Sequence, residues 1–246
     1  MTKRTLLIDG DVVAYQFATS SETAIHWGDD FWTLHADAAE TKARMDGYLQ
    51  ALKKDLNASH LIITLSDHTR NYFRKQILPT YKANRTNTRK PIILNELREH
   101  LSSQYKSYER PGLEGDDVLG ILATSNRIIK SEKIIVSIDK DLKTIPGLHY
   151  NTNKPELGVF EITEEEAHYW HLFQTLTGDA SDGYSGCPGI GPKRASDILA
   201  KETSWEHVRQ TFVKAGFSEE EALTQARVAR ILRAEDYDFK KKQPLI

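Results

Sequence analysis

Across 246 residues there is one cysteine, Cys187, so the chain can form no internal disulfide and no cysteine-based zinc cluster. Long apolar runs are also missing. Stretches such as Leu61-Ile62-Ile63 fall far short of the roughly 20 residues a bilayer-spanning helix needs, so no segment is read as spanning a bilayer. Met1-Thr2-Lys3-Arg4-Thr5 runs directly into strand-like sequence, so no secretory leader is read there. Neither sign of charge dominates: Lys+Arg number 33 and Asp+Glu 35, a net −2 that does not by itself suggest a nucleic-acid binder. With 39% hydrophobic and 28% charged residues, the composition also excludes disorder, collagen-like repeats and coiled-coil rods. What remains is a cytosolic globular protein of one large domain or two small ones.

The balanced total hides a segregation. Seven basic residues (Arg70, Arg74, Lys75, Lys82, Arg85, Arg89 and Lys90) fall between positions 70 and 90 with no acid among them, and Lys240-Lys241-Lys242 follows near the end. Acids gather instead in short motifs: Asp9/Asp11, Glu114/Asp116/Asp117, Asp139/Asp141 and Asp179/Asp182. A basic run alone is commonly a solvated helix face. Beside acidic clusters it suggests a polyanion held next to metal ions, because uncompensated carboxylates repel phosphate.

Thr5–Asp9, Leu61–Leu65 and Ile134–Ile138 read as buried strands, with helices from Val12 and over about 36–56 between them. Pro79 and Pro91 prevent the basic segment from being one continuous helix. Glu114-Gly-Asp-Asp followed by Val118, Leu119, Ile121 and Leu122 reads as a helix N-terminus. Alternating strands and helices predict an α/β fold with a mainly parallel sheet, whose functional groups gather beyond the carboxyl ends of the strands. Asp9, Asp67 and Asp139 each follow a strand directly. Beyond about Thr163 the pattern turns helical (164–178, 192–201, 205–215 and 218–234) around a glycine-rich hairpin at 183–191. The expected organisation is a catalytic core over 1–162, with a basic helical arch at about 68–104, and a helical subdomain over 163–246.

An isolated Asp-x-Asp is usually a turn or a cap. Repeated at several strand ends and helix starts, such pairs can hold hard divalent cations, and two ions about 3.5–4 Å apart need more carboxylates than one motif supplies. No His/Cys ligand spacing, Gly-Lys-Thr phosphate loop or Gly-x-Ser-x-Gly elbow is present. The nine histidines are scattered, and His168 and His171 read as surface or packing residues.

LLIDGD, LSDHTRNYFRKQILPTYKANR, LEGDDVLG, SIDKDL and TGDASDGYSGCPGIGPKRA occur in the order used by the 5′-nuclease superfamily. That superfamily includes flap endonucleases and the 5′-nuclease domain of bacterial DNA polymerase I. WHLFQTLTGDASDGYSG and ARILR resemble most closely the replication 5′→3′ exonucleases of short-tailed bacteriophages. The resemblance implies two Mg²⁺ ions, replaceable by Mn²⁺. Asp67, Glu114 and Asp116, with Asp9 acting through water, would serve the first; Asp139, Asp141, Asp179 and Asp182 the second; Asp117 would lie between or beside them. Asp11 lies outside the general pattern and is read as a helix cap.

Tyr81-Lys82-Ala83-Asn84-Arg85 resembles the family's arch motif, in which a Lys and an Arg contact the scissile phosphate. Lys82 and Arg85, with Asp9 and Asp117, are therefore the implied catalytic set. Phe73-Arg74 matches the arch entry, Arg70 would steer the strand, and Tyr81 would either stack on a terminal base or pack within the arch. Gly186-Cys187-Pro188-Gly189-Ile190-Gly191-Pro192-Lys193 resembles a helix-hairpin-helix duplex clamp. There Gly186, Gly189 and Gly191 would let backbone approach phosphate, Lys193 and Arg194 would pair with it, and a K⁺ would sit on hairpin carbonyls. Cys187 is read as a packing residue.

The implied activity is 5′→3′ hydrolysis of double-stranded DNA to 5′-phosphorylated products, extending to the RNA strand of RNA/DNA hybrids, in phage replication or recombination in the host cytoplasm. Three alternatives compete: a structure-specific flap endonuclease, a DNA-binding module with a decayed site, and a PIN-type ribonuclease, which would lack the basic arch and the hairpin clamp.

Overall fold

The computed structural model describes residues 3–85 and 88–245; Met1, Thr2, Ile246 and, in the basic segment, Thr86 and Asn87 lie outside it. Along the chain run β1 (Arg4–Asp9), α1 (Gly10–Ser21), β2 (Thr23–Gly28), β3 (Phe31–His35), α2 (Ala38–Asp55) and β4 (His60–Leu65). There follow α3 (Arg74–Ile77), α4 (Leu94–Gln104), β5 (Ser107–Glu109), α5 (Gly115–Thr124), β6 (Glu132–Val136), β7 (Gly147–Tyr150) and β8 (Phe160–Ile162). The helical part holds α6 (Glu164–Thr177), α7 (Pro192–Leu199), α8 (Trp205–Lys214) and α9 (Glu219–Ala229), before the short pair β9 (Tyr237–Asp238) and β10 (Gln243–Pro244).

The main sheet has the order β5-β4-β1-β6-β7-β8, parallel except for the β7–β8 edge. Side-chain alternation divides β1 between two cores. Leu6 and Ile8 join Ile63, Leu65, Ile134 and Val136 against α1, α2 and α4. Leu7 points the other way, with Ile62 and Ile135, against Val118, Leu119 and Leu122 of α5. Helices on both faces explain why these strands read as unbroken aliphatic runs. The strands β1, β4 and β6 all end at one rim of the sheet, where Asp9 closes β1 and Ser66 and Ser137 begin the loops after β4 and β6. Gly10 is required at that rim: a Cβ there would lie 2.5 Å from the Ile63 side chain and 2.8 Å from the Thr64 carbonyl.

A separate core joins α6, α7, α8 and α9 through Leu172, Leu176, Cys187, Leu199, Val208 and Phe212. Past α9 the chain returns to the sheet, and Ile231, Leu232 and Tyr237 enter the α5 core. The helix expected to reach residue 234 therefore stops at Ala229, because the next residues are held extended by the core region.

Residues 23–35 form a β-hairpin that the sequence did not suggest; Trp27, Phe31, Trp32 and Leu34 are all exposed on it. Over the expected arch, about 68–104, the described residues carry α3, one 3₁₀ turn at Ala83–Arg85 and α4. Pro79 lacks a backbone donor, and Arg70 and Lys82 adopt left-handed φ values of 56° and 53°.

Candidate active site

The rim of the sheet opens into a cleft of about 750 Å³. It is lined by Asp9, Asp11, Glu114, Asp116, Asp139, Asp141, Asp179 and Asp182, and by the cations Arg70, Lys75, Lys82, Arg85, Lys140 and Arg98. Asp9 ends β1 and caps α1: its Oδ1 accepts from the Val12 amide at 3.1 Å, and its Oδ2 from the Ser137 hydroxyl at 3.0 Å. The same Ser137 oxygen accepts from the Asp139 amide, so one hydroxyl ties the ends of β1 and β6 together. Asp139 in turn accepts from the Asp141 amide at 2.8 Å, and Gln174 of α6 donates to the Asp141 carboxylate. Asp179 is fixed at 2.8 Å by the Ser181 amide and at 2.6 Å by its hydroxyl.

Crowding these carboxylates makes their charge costly. Burial, then the neighbouring Asp11 and Asp139, lifts the Asp9 carboxyl to about 7. Burial, with Asp9 and Asp139 beside it, pushes Asp116 well above the carboxylate range. Burial and Asp139 bring Asp141 to about 6. At Glu114 burial acts upward too, but Lys82 and Arg74 override it and hold the carboxyl below its ordinary value. Two ammonium groups already stand among the acids. Lys82 Nζ pairs with Glu114 and lies 3.4 Å from Asp182, and Lys140 Nζ lies 3.0 Å from both Asp141 and Asp179. Arg85 pairs with Asp182 and donates to the Ser181 carbonyl at 3.1 Å. Between Glu114, Asp116, Asp141 and Asp182 lies a pocket of about 20 Å³, roughly the space of one water-sized particle. Arg74, Val228, Ala229 and Ile231 close its inner side, so the carboxylate oxygens that suit a hard divalent cation face the open cleft beside it.

A family model described as the 5′-3′ exonuclease N-terminal resolvase-like domain matches residues 4–166. The exodeoxyribonuclease of Enterobacteria phage T3 is 31% identical, with the alignment covering 98% of this chain and 91% of that protein. The exonuclease of Escherichia phage T7 is 30% identical over 98% and 92%. The chain belongs to the 5′-3′ exonuclease family. It is accordingly a 5′→3′ exonuclease. A structure titled T5 D15 protein co-crystallised with metal ions shares the fold, with a TM-score of 0.69 at 16% identity over 92% of this chain and 89% of that one. So does the T5 D15 flap endonuclease pseudo-enzyme-product complex with DNA and metal ions, with a TM-score of 0.67, 16% identity and the same coverage.

Seven of the nine carboxylates expected at the exonuclease centre line this cleft; Asp67 and Asp117 do not. The two oxygens of Asp67 accept from the Thr69 amide at 2.9 Å and the Gly112 amide at 2.7 Å, tying β4 to the loop before α5. Asp117 is fully buried. It receives both terminal nitrogens of Arg74 at 2.7 Å and the Glu114 and Leu232 amides at 3.1 Å. Asp117 thus spends its carboxylate on the fold, away from the cleft. Asp67 keeps lone pairs free and stands with His68 and Glu109 in a group that could hold a metal ion beside the cleft.

Arg74 is corrected likewise. Only 3% exposed, it cannot present itself to a DNA phosphate; it also donates to the Val228 and Arg230 carbonyls, locking the arch onto the end of α9 and the residue that follows it. Tyr81, also 3% exposed, packs against Tyr184 and Val228, and its hydroxyl lies 2.8 Å from Glu114, so packing replaces base stacking. Arg70 does line the cleft. Asp11 is not a cap, since Asp9 holds that position; it accepts from the Ser66 amide at 2.7 Å and pairs with Arg98.

In the hairpin, Gly186 is buried, and its backbone passes so close to Gly178 that a Cβ would lie 2.3 Å from the Gly178 nitrogen. Its glycine therefore serves the fold, which corrects the expected approach to phosphate. Gly189, Gly191, Lys193 and Arg194 are exposed around the start of α7, although the Gly189 carbonyl already accepts from Arg194 at 2.9 Å. Cys187 lies in the helical core, and His171 packs against α9 with its ring held near 4 by burial.

Sequence reasoning missed Ser137, Gln174, Lys140 and Arg98. Ser137 and Lys140 are part of SIDKDL and could have been found as neighbours of its acids. Gln174 and Arg98 stand on helices with no local signal.

Proposed function

We propose that this chain is a divalent-metal-dependent 5′→3′ exodeoxyribonuclease. It acts on double-stranded DNA with 5′ ends, nicks or gaps, leaves 5′-phosphorylated products, and serves phage replication or recombination in the host cytoplasm. One observation carries the reading: carboxylates from β1, α5, the end of β6 and the loop after α6 line one cleft, with Lys82 and Arg85 facing them.

Glu114 and Asp116, with Asp9 acting through water, are the residues to hold one Mg²⁺ or Mn²⁺, and Asp139, Asp141, Asp179 and Asp182 a second. Bound there, such ions neutralise the crowded acids and polarise both the attacking water and the scissile phosphate. The chain's own residues do the remaining work. Ser137 and the Val12 amide orient Asp9, and Gln174 orients Asp141. Lys82 and Arg85 exchange their carboxylate partners for the non-bridging oxygens of the scissile phosphate, where negative charge grows as phosphorus is attacked. Exposed Lys193 and Arg194 hold duplex phosphates away from the reacting bond, with K⁺ as a bridging ion on the hairpin. The RNA strand of a hybrid is a second substrate.

The deciding experiment follows the first products from 5′-labelled and 3′-labelled duplexes, a 5′-flap substrate and an RNA/DNA hybrid, with Mg²⁺ or with chelator. The proposal expects labelled mononucleotides from the 5′-labelled duplex in Mg²⁺ alone. A flap endonuclease, the reading favoured by the fold shared with the T5 protein, would release an oligonucleotide from the flap first. Replacing K⁺ by Na⁺ in the binding buffer tests the hairpin ion.

A further inference from the structure

Lys140 stands in the middle of the Asp139-Lys140-Asp141 motif, and the proposed chemistry gives it no task. Its ammonium lies 3.0 Å from Asp141 Oδ1 and 3.0 Å from Asp179 Oδ2, joining a residue after β6 to one after α6. The side chain itself is 72% exposed, whereas those of Asp141 and Asp179 are 22% and 12% exposed. Apart from these two carboxylates, no hydrogen bond or ion pair holds the ammonium among the described residues. Lys82 is different: at 15% exposure it sits deep in the cleft. The outer acid pair is thus closed by a cation on a solvated, flexible stem, which can swing into water at little cost.

We propose that Lys140 is an exchangeable internal counter-ion for Asp141 and Asp179. Without metal, its ammonium neutralises the pair and keeps the two loops together. A divalent cation binding there must expel it, so Lys140 raises the cation concentration at which the outer position fills. Asp9 and Asp116 make no hydrogen bond or ion pair with Lys140, so the inner position feels its charge less than the outer one does. The geometry makes Lys140 a positioning residue that sets the threshold for loading the second ion. This rests on the reading that these acids hold cations.

The test uses the full chain without DNA and Mn²⁺ alone as probe, with free Mn²⁺ followed by electron paramagnetic resonance at fixed ionic strength. Lys140→Met keeps the apolar stem and removes the charge; Lys140→Arg restores a cation. In Lys140→Met the weaker Mn²⁺ dissociation constant should fall roughly two- to thirty-fold, the equivalent of two exposed ion pairs, and the tighter one by a smaller factor. Lys140→Arg should return the weaker constant toward wild type. A wild-type chain that binds Mn²⁺ but shows an isotherm coincident with that of Lys140→Met would overturn the proposal and leave the metal reading standing. A wild-type chain that binds no Mn²⁺ overturns both. A second measurement does not depend on affinity. The ¹³C-methyl resonance of reductively methylated Lys140, assigned by its absence from Lys140→Arg, should move toward that of a free methylated lysine as Mg²⁺ is added. A resonance that stays fixed while Mg²⁺ binds excludes expulsion.

Discussion

Asp9 offers a direct measure of how far the acidic centre depends on cations. Its side chain lies at the end of a buried strand, beside Asp11 and Asp139, and burial with those charges lifts its carboxyl from 3.8 to about 7. In the native chain it keeps its proton between about pH 4 and 7, whereas in the unfolded chain it has already lost it. The native state therefore binds more protons in that window, and stability falls as pH rises through it. A lift of this size corresponds to up to about 4 kcal/mol at 1.36 kcal/mol per pH unit, all of it felt above pH 7. Asp9→Asn removes the charge but keeps the geometry: the amide oxygen can still accept from Val12, and its nitrogen can donate to Ser137. In chelator, Asp9→Asn should match wild type near pH 4.5 and become more stable than it by pH 8. At roughly 2–4 °C per kcal/mol for a chain of this size, the gap in Tm at pH 8 should reach on the order of 10 °C. Added Mg²⁺ should stabilise wild type at pH 8 far more than the variant. Thermal unfolding monitored by circular dichroism from pH 4.5 to 8, with and without Mg²⁺, measures both. A difference between the two proteins that does not change with pH would refute the reasoning.

Lys82→Ala should slow single-turnover cleavage at saturating DNA by about 10²–10³-fold, with a much smaller change in Kd, because its cation works on charge that develops during reaction; normal rates at saturation remove that role. Arg74→Met should destabilise the fold by about 3–5 kcal/mol in urea titrations, since it leaves the buried Asp117 and Glu114 without their guanidinium; a loss below 1 kcal/mol would show the pair to be solvated. Changing both Lys193 and Arg194 to Ala should weaken binding of all duplex sequences and lower the salt slope by up to about one contact each, read by fluorescence anisotropy across salt concentrations. Replacing residues 24–34 by a short Gly-Ser turn should move Tm by less than about 3 °C. Thr23 and His35 are already paired, and the hairpin's large apolar side chains are exposed; a large drop would mean that the hairpin is held by the body of the protein.

The parts of this molecule that could be read from sequence are those whose burial leaves a local mark. β1, β4 and β6 are covered on both faces, so their aliphatic runs stand out, and the acids just beyond them fall where a parallel sheet gathers its loops. The hairpin at 23–35 left no such mark. Exposed on both sides, its alternation is not fixed by a core, and its aromatic residues had no visible reason to form strands.

The harder distinction was between residues of like charge. Arg74 and Arg85 belong to one basic run, yet Arg74 turns inward to Asp117 and to carbonyls more than 150 residues away, while Arg85 remains at the mouth of the cleft. Asp116 and Asp117 are adjacent on the first turn of α5 and therefore point about 100° apart, one into the cleft and the other into the arginine. Helical phase was legible for the apolar stripe behind them, but which acid faced the cleft depended on where residues 228–232 return, and no local pattern encodes that. Asp117 consequently acts on the site at one remove. It fixes Arg74, Arg74 contacts Glu114, and Glu114 holds Lys82, so the cation proposed to meet the scissile phosphate is positioned by a carboxylate outside the cleft.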